Sequence, residues 1–309
     1  MKYINPGILS LFPITSEGSQ VENPKAEISE TGFAFDTGGD YKALYPVSSS
    51  EIWCSYNYYI RAADHQNQAS RDFFRLYTDP TTAFLDIRIK YTNDITFIEI
   101  QSIKGNNYTS LYTSESTIDT SSNTAMHNIE MHYKAGEDGR IDIWIDHKLF
   151  CSFRSPTALS TTPNYISIAE SHSYYGYSTY DMYISSIILQ DTRRIGYEKF
   201  KMLTIDPSTE QNMPQGSTTN FTVSGLSDAT EFSDITSFGA IMQTTSKDAN
   251  ITTGTFSLNG SEIGTIDVSD SSGKAYEIAH IETNPATTKP WTRDDIEGKT
   301  LSFTVNGAS

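Results

Sequence analysis

Two carboxylates and a tryptophan stand at alternate positions of one short run, Arg-Ile-Asp-Ile-Trp-Ile-Asp, over residues 140–146. Side chains alternate between the two faces of a strand, so Asp142, Trp144 and Asp146 share one face. Two carboxylates can cleave a glycosidic bond when they lie ~5–10 Å apart. Residues four apart in a strand are separated by ~13 Å, which suits neither hydrolytic geometry. The chain also lacks G-x-S-x-G, H-E-x-x-H and P-loop motifs, so we predict no catalytic residues and no enzymatic activity.

Aromatic side chains offer a different chemistry, because their flat apolar faces can stack on sugar rings while hydroxyls form hydrogen bonds. Trp144 is one candidate, and the tyrosine-rich run 171–183 adds Tyr174, Tyr175 and Tyr177. Such loops serve protein contacts equally well. The four residues therefore form a predicted glycan-binding set, with packing against a neighbouring subunit or the sandwich edge as the alternative.

Metal ligands show no recognisable spacing in this sequence. The six histidines are scattered, and Asp267 and Asp270 lack the acidic ladder of a calcium loop. We predict no metal site and no cofactor. The two cysteines, Cys54 and Cys151, lie in apolar strand patterns, which predicts buried free thiols or a single bridge between them.

The composition favours strands and turns. The 309 residues include 19 tyrosines and only 37% hydrophobic residues, and the formal net charge is −16. Nucleic-acid binding needs a basic face, so we predict no nucleic-acid partner. The first residues contain no apolar run long enough for a signal peptide or a membrane span. We therefore expect synthesis in the cytoplasm of the producing cell and no membrane insertion.

Strand-like runs separated by short turn signals recur along the whole chain. About ten antiparallel strands in fewer than 200 residues predict a two-sheet jelly roll. Shorter strands in the remainder predict a smaller β-sandwich. The expected fold is all-β, divided into an N-terminal arm over 1–19, a jelly roll over 20–192 and a β-sandwich over 193–309.

The run 128–153 carries a resemblance to a known fold family. It reads strand, Gly-containing turn, strand and hairpin return, and 145–148 stands where concanavalin A-like and laminin-G-like jelly rolls commonly have a Val-Asp-Gly turn. His147 occupies the usual Gly position. The run 181–192, "DMYISSIILQDT", is similar to the family's closing strand. The resemblance implies a concanavalin A-like jelly roll over residues 20–192.

The run 284–305, "NPATTKPWTRDDIEGKTLSFTV", predicts a plug at one end of the second β-domain. Thr292 is placed to cap one helical turn whose first residues are acidic, which suits the positive end of a helix dipole. Trp291 is then held against the sandwich. Alternation places Leu301, Phe303 and Val305 inward on a final strand.

That run and the junction "YISSIILQDTRRIGYEKFKMLTIDPSTE" together resemble tailed-bacteriophage virion proteins. In those proteins a laminin-G-like jelly roll is followed by a second β-domain. The resemblance implies a non-enzymatic structural protein of the phage particle, serving as a decoration, adaptor or fibre component on head or tail. The implied partners are other virion proteins and further copies of the chain. The alternative is a carbohydrate-binding module that recognises a host surface glycan.

Overall fold

The computed structural model describes most of the chain in two units, Met1–Phe200 and Lys201–Ser309. The described residues are 2–6, 11, 14–16, 19–22, 33–37, 42–60, 69–92, 95–117, 126–170, 182–196, 198, 200–206, 213–226, 234–244, 251–267 and 275–307. Nearly all their regular structure is antiparallel strand, which confirms the all-β prediction. Within these ranges no helix is long and apolar enough to cross a membrane.

The first unit contains fifteen strands in its described part. In chain order they are β1 (Lys2–Asn5), β2 (Ile14–Ser16), β3 (Ser19–Glu22), β4 (Phe33–Asp36), β5 (Lys42–Pro46), β6 (Glu51–Ile60), β7 (Ala69–Asp79), β8 (Thr82–Thr92), β9 (Ile95–Lys104), β10 (Asn107–Thr113), β11 (His127–Lys134), β12 (Arg140–Ile145), β13 (Lys148–Arg154), β14 (Tyr165–Ile168) and β15 (Met182–Gln190). They form two sheets, as the predicted jelly-roll sandwich requires. Sheet 1 has the order β13-β12-β11-β6-β15-β4-β3, with β1 also paired to β15. Sheet 2 has the order β10-β9-β8-β7-β14-β5-β2.

Strand alternation builds the core between these two sheets. Apolar residues at every second position of sheet 1, such as Met131 and Ile143, are fully buried with their counterparts from sheet 2, such as Ile87 and Ile100. Burying such side chains contributes ~1.5–3 kcal/mol each, which is the main force holding the sheets together.

The two cysteines lie within this core and are both free. In the register of sheet 1, Met131 pairs with Cys54 and with Ile143, and Ile143 pairs with Cys151. The thiols are therefore three strand spacings apart, or ~14 Å, too far for a disulfide. Burial raises the pKa of Cys151 to about 12, so this thiol stays protonated.

The ends of the first unit differ from the predicted boundaries. Where an arm was expected over residues 1–19, the described strands β1 and β2 pair within sheet 1 and sheet 2. After β15, residues 193–196 lie against the first unit, because the Glu130 carboxylate accepts hydrogen bonds from the backbone N–H groups of Ile195 and Gly196. The compact unit accordingly extends to Phe200 rather than to residue 192.

The β12–β13 hairpin turns at Asp146 and His147. Both residues have left-handed backbone conformations, with φ of 48° and 66°. Two consecutive positive φ values are the pattern of a type I′ turn, whose twist matches that of the flanking strands. Gly or Asn is preferred at such positions, so His147 carries a conformational cost that the Gly of the resembling family avoids.

The second unit contains nine strands in its described part. They are β16 (Thr204–Asp206), β17 (Thr218–Ser224), β18 (Phe238–Thr244), β19 (Ile251–Leu258), β20 (Ser261–Asp267), β21 (Ala275–Ile281), β22 (Thr283–Asn284), β23 (Lys289–Pro290) and β24 (Thr300–Gly307). A five-stranded sheet has the order β16-β17-β24-β19-β20, and β18 pairs with β21.

The segment before β24 has the predicted form. A 3₁₀ turn over Arg293–Asp295 follows Thr292, and the Asp295 carboxylate accepts a hydrogen bond from the Thr292 backbone N–H at 2.8 Å. Trp291 is buried and its indole N–H donates to the Ile281 carbonyl at 3.1 Å. Alternate residues of β24, Leu301, Phe303 and Val305, enter the same core.

Candidate functional site

A row of polar side chains crosses the outer face of sheet 2, opposite the core. In the register of the sheet, Arg75 on β7 pairs with Ser167 on β14 and Asp86 on β8, and Gln101 on β9 pairs with Asp86 and with Ser110 on β10. Paired residues point to the same face, so these five side chains form one line across five strands. We call this line the polar row: Ser167, Arg75, Asp86, Gln101 and Ser110.

Arg75 is the centre of a buried ion network. Its guanidinium lies 3.5 Å from the Asp72 carboxylate and 3.4 Å from Glu170, and it donates a hydrogen bond to the Tyr108 hydroxyl at 3.0 Å. The Tyr77 hydroxyl donates to Glu170 at 2.6 Å. Burial and the adjacent Glu170 charge raise the pKa of Tyr77 well above its ordinary value, so this phenol keeps its proton.

A second ion group extends the network along β8 and β9. The Glu99 carboxylate lies 2.9 Å from Arg88 and 3.4 Å from Lys90. Burial alone acts to raise the pKa of Glu99. The Arg88 hydrogen bonds and the two cationic charges outweigh it, and the pKa falls below its ordinary value.

Asp86 contributes the carboxyl group of the row, and its surroundings change the pKa of that group. Only 2% of the residue is exposed, and this burial raises its pKa to about 6. The charge of Arg75 is the strongest influence that acts to lower the value, and a hydrogen bond with Asp72 acts in the same direction. Asp86 is therefore ionised at pH 7 and above, inside a site that disfavours its charge.

Several polar atoms along the row are closed to solvent and form no hydrogen bond within the protein, among them Asp86 Oδ1, Gln101 Oε1 and Ser167 Oγ. An unsatisfied buried polar group costs ~1–3 kcal/mol, and more when it is charged. Buried ion networks are themselves weak sources of stability, and perturbed pKa values are common at functional sites. The buried ion network and its perturbed pKa values make the polar row the candidate functional site.

Tyrosine rings border the row. Tyr77 and Tyr165 are paired neighbours at one end, and Tyr108, 40% exposed, lies beside Arg75. Lys42 Nζ lies 4.2 Å from the Tyr77 ring centroid. At the Tyr165 end is a shallow cleft of about 360 Å³, lined by Pro46, Ser48, Thr78, Asp79, Pro80, Asn164 and Tyr165.

Of the four predicted glycan-binding residues, the described part of the chain includes Trp144 alone. Tyr174, Tyr175 and Tyr177 lie outside the described residues. Trp144 is on the outer face of sheet 1, with the core between it and the polar row. The Arg194 guanidinium lies 4.4 Å from its ring centroid, a cation–π contact, and Trp53 lies 5.7 Å away.

Asp142 and Asp146, the carboxylates on either side of Trp144, have structural partners. Asp142 lies 3.4 Å from the buried His132, whose ring stacks on Trp53 at 3.8 Å. Asp146 accepts hydrogen bonds from the Asn128 backbone N–H at 3.0 Å and from His127 at 2.8 Å. In the described ranges no group of three or more His, Cys, Asp and Glu residues is arranged to hold a metal ion.

The polar row has a sequence signal, but this signal is not a motif. In "FLDIRIKY" and "FIEIQSI", charged or amide residues alternate with isoleucine or leucine over residues 84–91 and 97–103. That pattern is normal for a strand with one exposed face. The feature that distinguishes it is the burial of the polar members, which only the folded sheet reveals.

No protein-family model and no curated protein sequence matches the chain. Several solved structures resemble it in fold. An endo-β-1,4-glucuronan lyase from the fungus Trichoderma reesei shares 13% identity, with 62% of this chain and 95% of that chain covered and a TM-score of 0.44. The carbohydrate recognition domain of Emp47p shares 10% identity, with 61% of this chain and 95% of that chain covered and a TM-score of 0.37. The CBM2 module of the evolved Dit protein of Lactobacillus casei BL23 phage J-1 shares 9% identity, with 61% of this chain and 88% of that chain covered and a TM-score of 0.34. Likenesses of this size assign no activity to this chain.

Proposed function

We propose that the first unit is a glycan-recognition module that binds sugar through the polar row and performs no covalent chemistry. The observation that carries this proposal is the border of tyrosine rings along the polar row, with Tyr77 and Tyr165 at one end and Tyr108, 40% exposed, beside Arg75. Ring faces beside a line of polar side chains suit a ligand that is apolar on its faces and carries hydroxyls at its edges, and a sugar chain has this chemistry.

The dimensions and the border of the row support the same proposal. Five strands at ~4.8 Å spacing place its ends ~19 Å apart, a length that accommodates several linked sugar rings. Tyr108 and Tyr165 offer ring faces with hydroxyls at the border, which suits rings that are apolar on their faces and polar at their edges. The buried, protonated Tyr77 serves as a donor or acceptor rather than as a phenolate base.

The test is a glycan array probed with the full chain and with matched variants. Tyr108→Ala and Tyr165→Ala each remove one ring at the border of the row, and we expect each to weaken binding to array hits at least tenfold. Thr109→Ala is the control, since Thr109 is on β10 next to Ser110 and faces the other side. Binding that Tyr175→Ala abolishes and Tyr108→Ala leaves intact would move the site to the predicted tyrosine loop. Release of reducing ends from the bound glycan would overturn the non-catalytic part of the proposal.

We also propose that the module is carried on a bacteriophage particle. The support is the sequence resemblance of the junction and of residues 284–305 to virion proteins. Gold-labelled antibody against the chain should mark purified particles from the source culture at regular positions on head, tail or fibre. Unlabelled particles, with the protein found free or on cells, would contradict this location and leave the glycan-binding proposal standing.

A further inference from the structure

We propose that β10, the strand at one edge of sheet 2, is an interface at which two copies of the chain pair. Four properties of Asn107–Thr113 support this pairing: its place at the end of the sheet, its exposure, its lack of charged residues, and its position on a side of the sandwich whose edge strands contain no carboxylate. The pairing does not depend on glycan binding at the polar row.

Strand β10 presents an open edge. Among the described strands it ends sheet 2, with β9 on one side and no described strand on the other. Residues 107–110 are all exposed. In an antiparallel strand, alternate residues direct their backbone N–H and C=O groups to opposite sides, so part of the β10 backbone faces this open side. A row of such groups is a template for a further strand.

The other three described strands that end sheets 1 and 2 carry features that prevent such pairing. β2 has only three residues, β3 contains Glu22, and β13 has Lys148 and Arg154 at its two ends. Short length and charged side chains are the usual protection of an edge strand. β10 has seven residues with no charge and no proline, and its tyrosines and threonines favour strands. A bulge at Leu111 leaves residues 107–110 as the regular stretch for pairing.

The charge distribution favours a second copy of the chain as the partner. The rings of Tyr112 on β10 and Phe153 on β13 are 5.7 Å apart, so the two edge strands lie on the same side of the sandwich. Residues 100–114 and 147–169, which contain these strands, include no Asp or Glu, and 147–169 is the longest such run in a chain with 38 acidic residues. Two chains of net charge −16 repel each other, and this side brings them together with the least repulsion.

The geometry of pairing needs no further component. Two identical strands related by a two-fold axis run antiparallel, so each edge is the complement of its own copy. Sheet 2 of one copy then continues into sheet 2 of its partner. A seven-residue strand is only ~24 Å long, so the contact is smaller than the ~1,200 Å² of stable complexes, and the dimer is reversible.

Sedimentation velocity of the full chain tests the pairing at about 1–300 µM protein and ~0.15 M salt. We expect the 34.4 kDa monomer at the low end of this range and a dimer of ~69 kDa at the high end. Thr109→Glu places a carboxylate on the edge of both copies and should raise the dissociation constant at least tenfold. Leu149→Glu is the matched control on β13, at a residue that is 59% exposed, and should change the constant less than twofold.

Cysteine substitutions locate the contact directly, because the two native cysteines are buried and free. A disulfide forms only when the two Cα atoms come within ~7 Å of each other. We expect Tyr108→Cys or Thr109→Cys to give a covalent dimer under mild oxidation, since both residues lie in the regular stretch of β10. Leu149→Cys should remain monomeric under the same conditions.

Several outcomes would overturn the proposal. A chain that stays monomeric over the whole concentration range does not pair at β10. A dimer that Thr109→Glu leaves intact, or that Leu149→Glu alone dissociates, has its contact elsewhere. A trimer or larger assembly is also contrary to it, since two copies close a two-fold edge. Circular dichroism of each variant checks that the fold is retained, and the cysteine variants test the contact without an added charge.

Discussion

Replacing Asp86 with Asn should stabilise the isolated protein at neutral and alkaline pH. The carboxyl is buried, and burial raises its pKa to about 6. In the unfolded chain an aspartate ionises near its ordinary pKa of ~3.9. Between these two values the native state keeps a proton that the unfolded state releases. Stability therefore falls as the pH rises through this window, because ionised Asp86 is tolerated less well in the folded protein than in water.

The size of the effect follows from the two pKa values. A native pKa of about 6 against the ordinary value of ~3.9 corresponds to roughly 3 kcal/mol, since each tenfold change in proton affinity is worth ~1.4 kcal/mol. The asparagine amide has nearly the same shape as the protonated carboxyl and carries no charge. The attraction of Arg75 for the ionised carboxyl is already contained in this pKa, which it acts to lower. We expect Asp86→Asn to raise the free energy of unfolding by about 1–3 kcal/mol at pH 8, and by much less at pH 4.

Urea unfolding between pH 4 and pH 8 measures this difference. Trp53 and Trp144 report on the first unit, and a Trp291→Phe background removes the fluorescence of the second unit. Asp138→Asn is the control, because its carboxylate is exposed and lies 3.5 Å from the Lys134 ammonium group. A destabilised Asp86→Asn protein at pH 8, or a gain that is equal at pH 4 and pH 8, would refute the argument. It would mean that Arg75 and Asp72 already compensate the charge of Asp86 in full.

Three further substitutions test other parts of the structure. His147→Gly should raise the free energy of unfolding of the first unit by about 0.5–1 kcal/mol in urea, since glycine adopts a φ of 66° without a Cβ clash. The control, Lys148→Gly, should give no such increase. Glu130→Ala should speed hydrogen exchange of the Ile195 amide at least tenfold, because this buried N–H group loses its acceptor. Unchanged exchange would mean that this hydrogen bond does not hold residues 193–196 in place. Trp291→Ala should destabilise the second unit by about 3–5 kcal/mol in calorimetry while leaving the transition of the first unit in place.

Local sequence patterns were sufficient to predict the strands and turns, but not the tertiary contacts between them. Alternation over residues 83–91 predicted a strand that the structure extends to Thr82–Thr92, because the period of two depends only on neighbouring residues. The turn at Asp146 and His147 was likewise readable from adjacent residues. Trp144 was correctly placed on an outward face, yet Arg194, which covers it, comes 50 positions later, and no local pattern indicates that contact.

The candidate site depends on strand order, which the sequence does not state. Ser167 and Arg75 pair although 92 positions separate them, because β14 lies between β7 and β5 in sheet 2. A row assembled in this way has no motif, since its members are single residues from five strands. Their types nevertheless carry a chemical meaning once they are adjacent. A sheet face that only needed to be soluble would leave Asp86 and Gln101 in water, at no cost. Here both are buried, in a face whose Arg75 is held by Asp72 and Glu170, and solubility alone does not account for that arrangement.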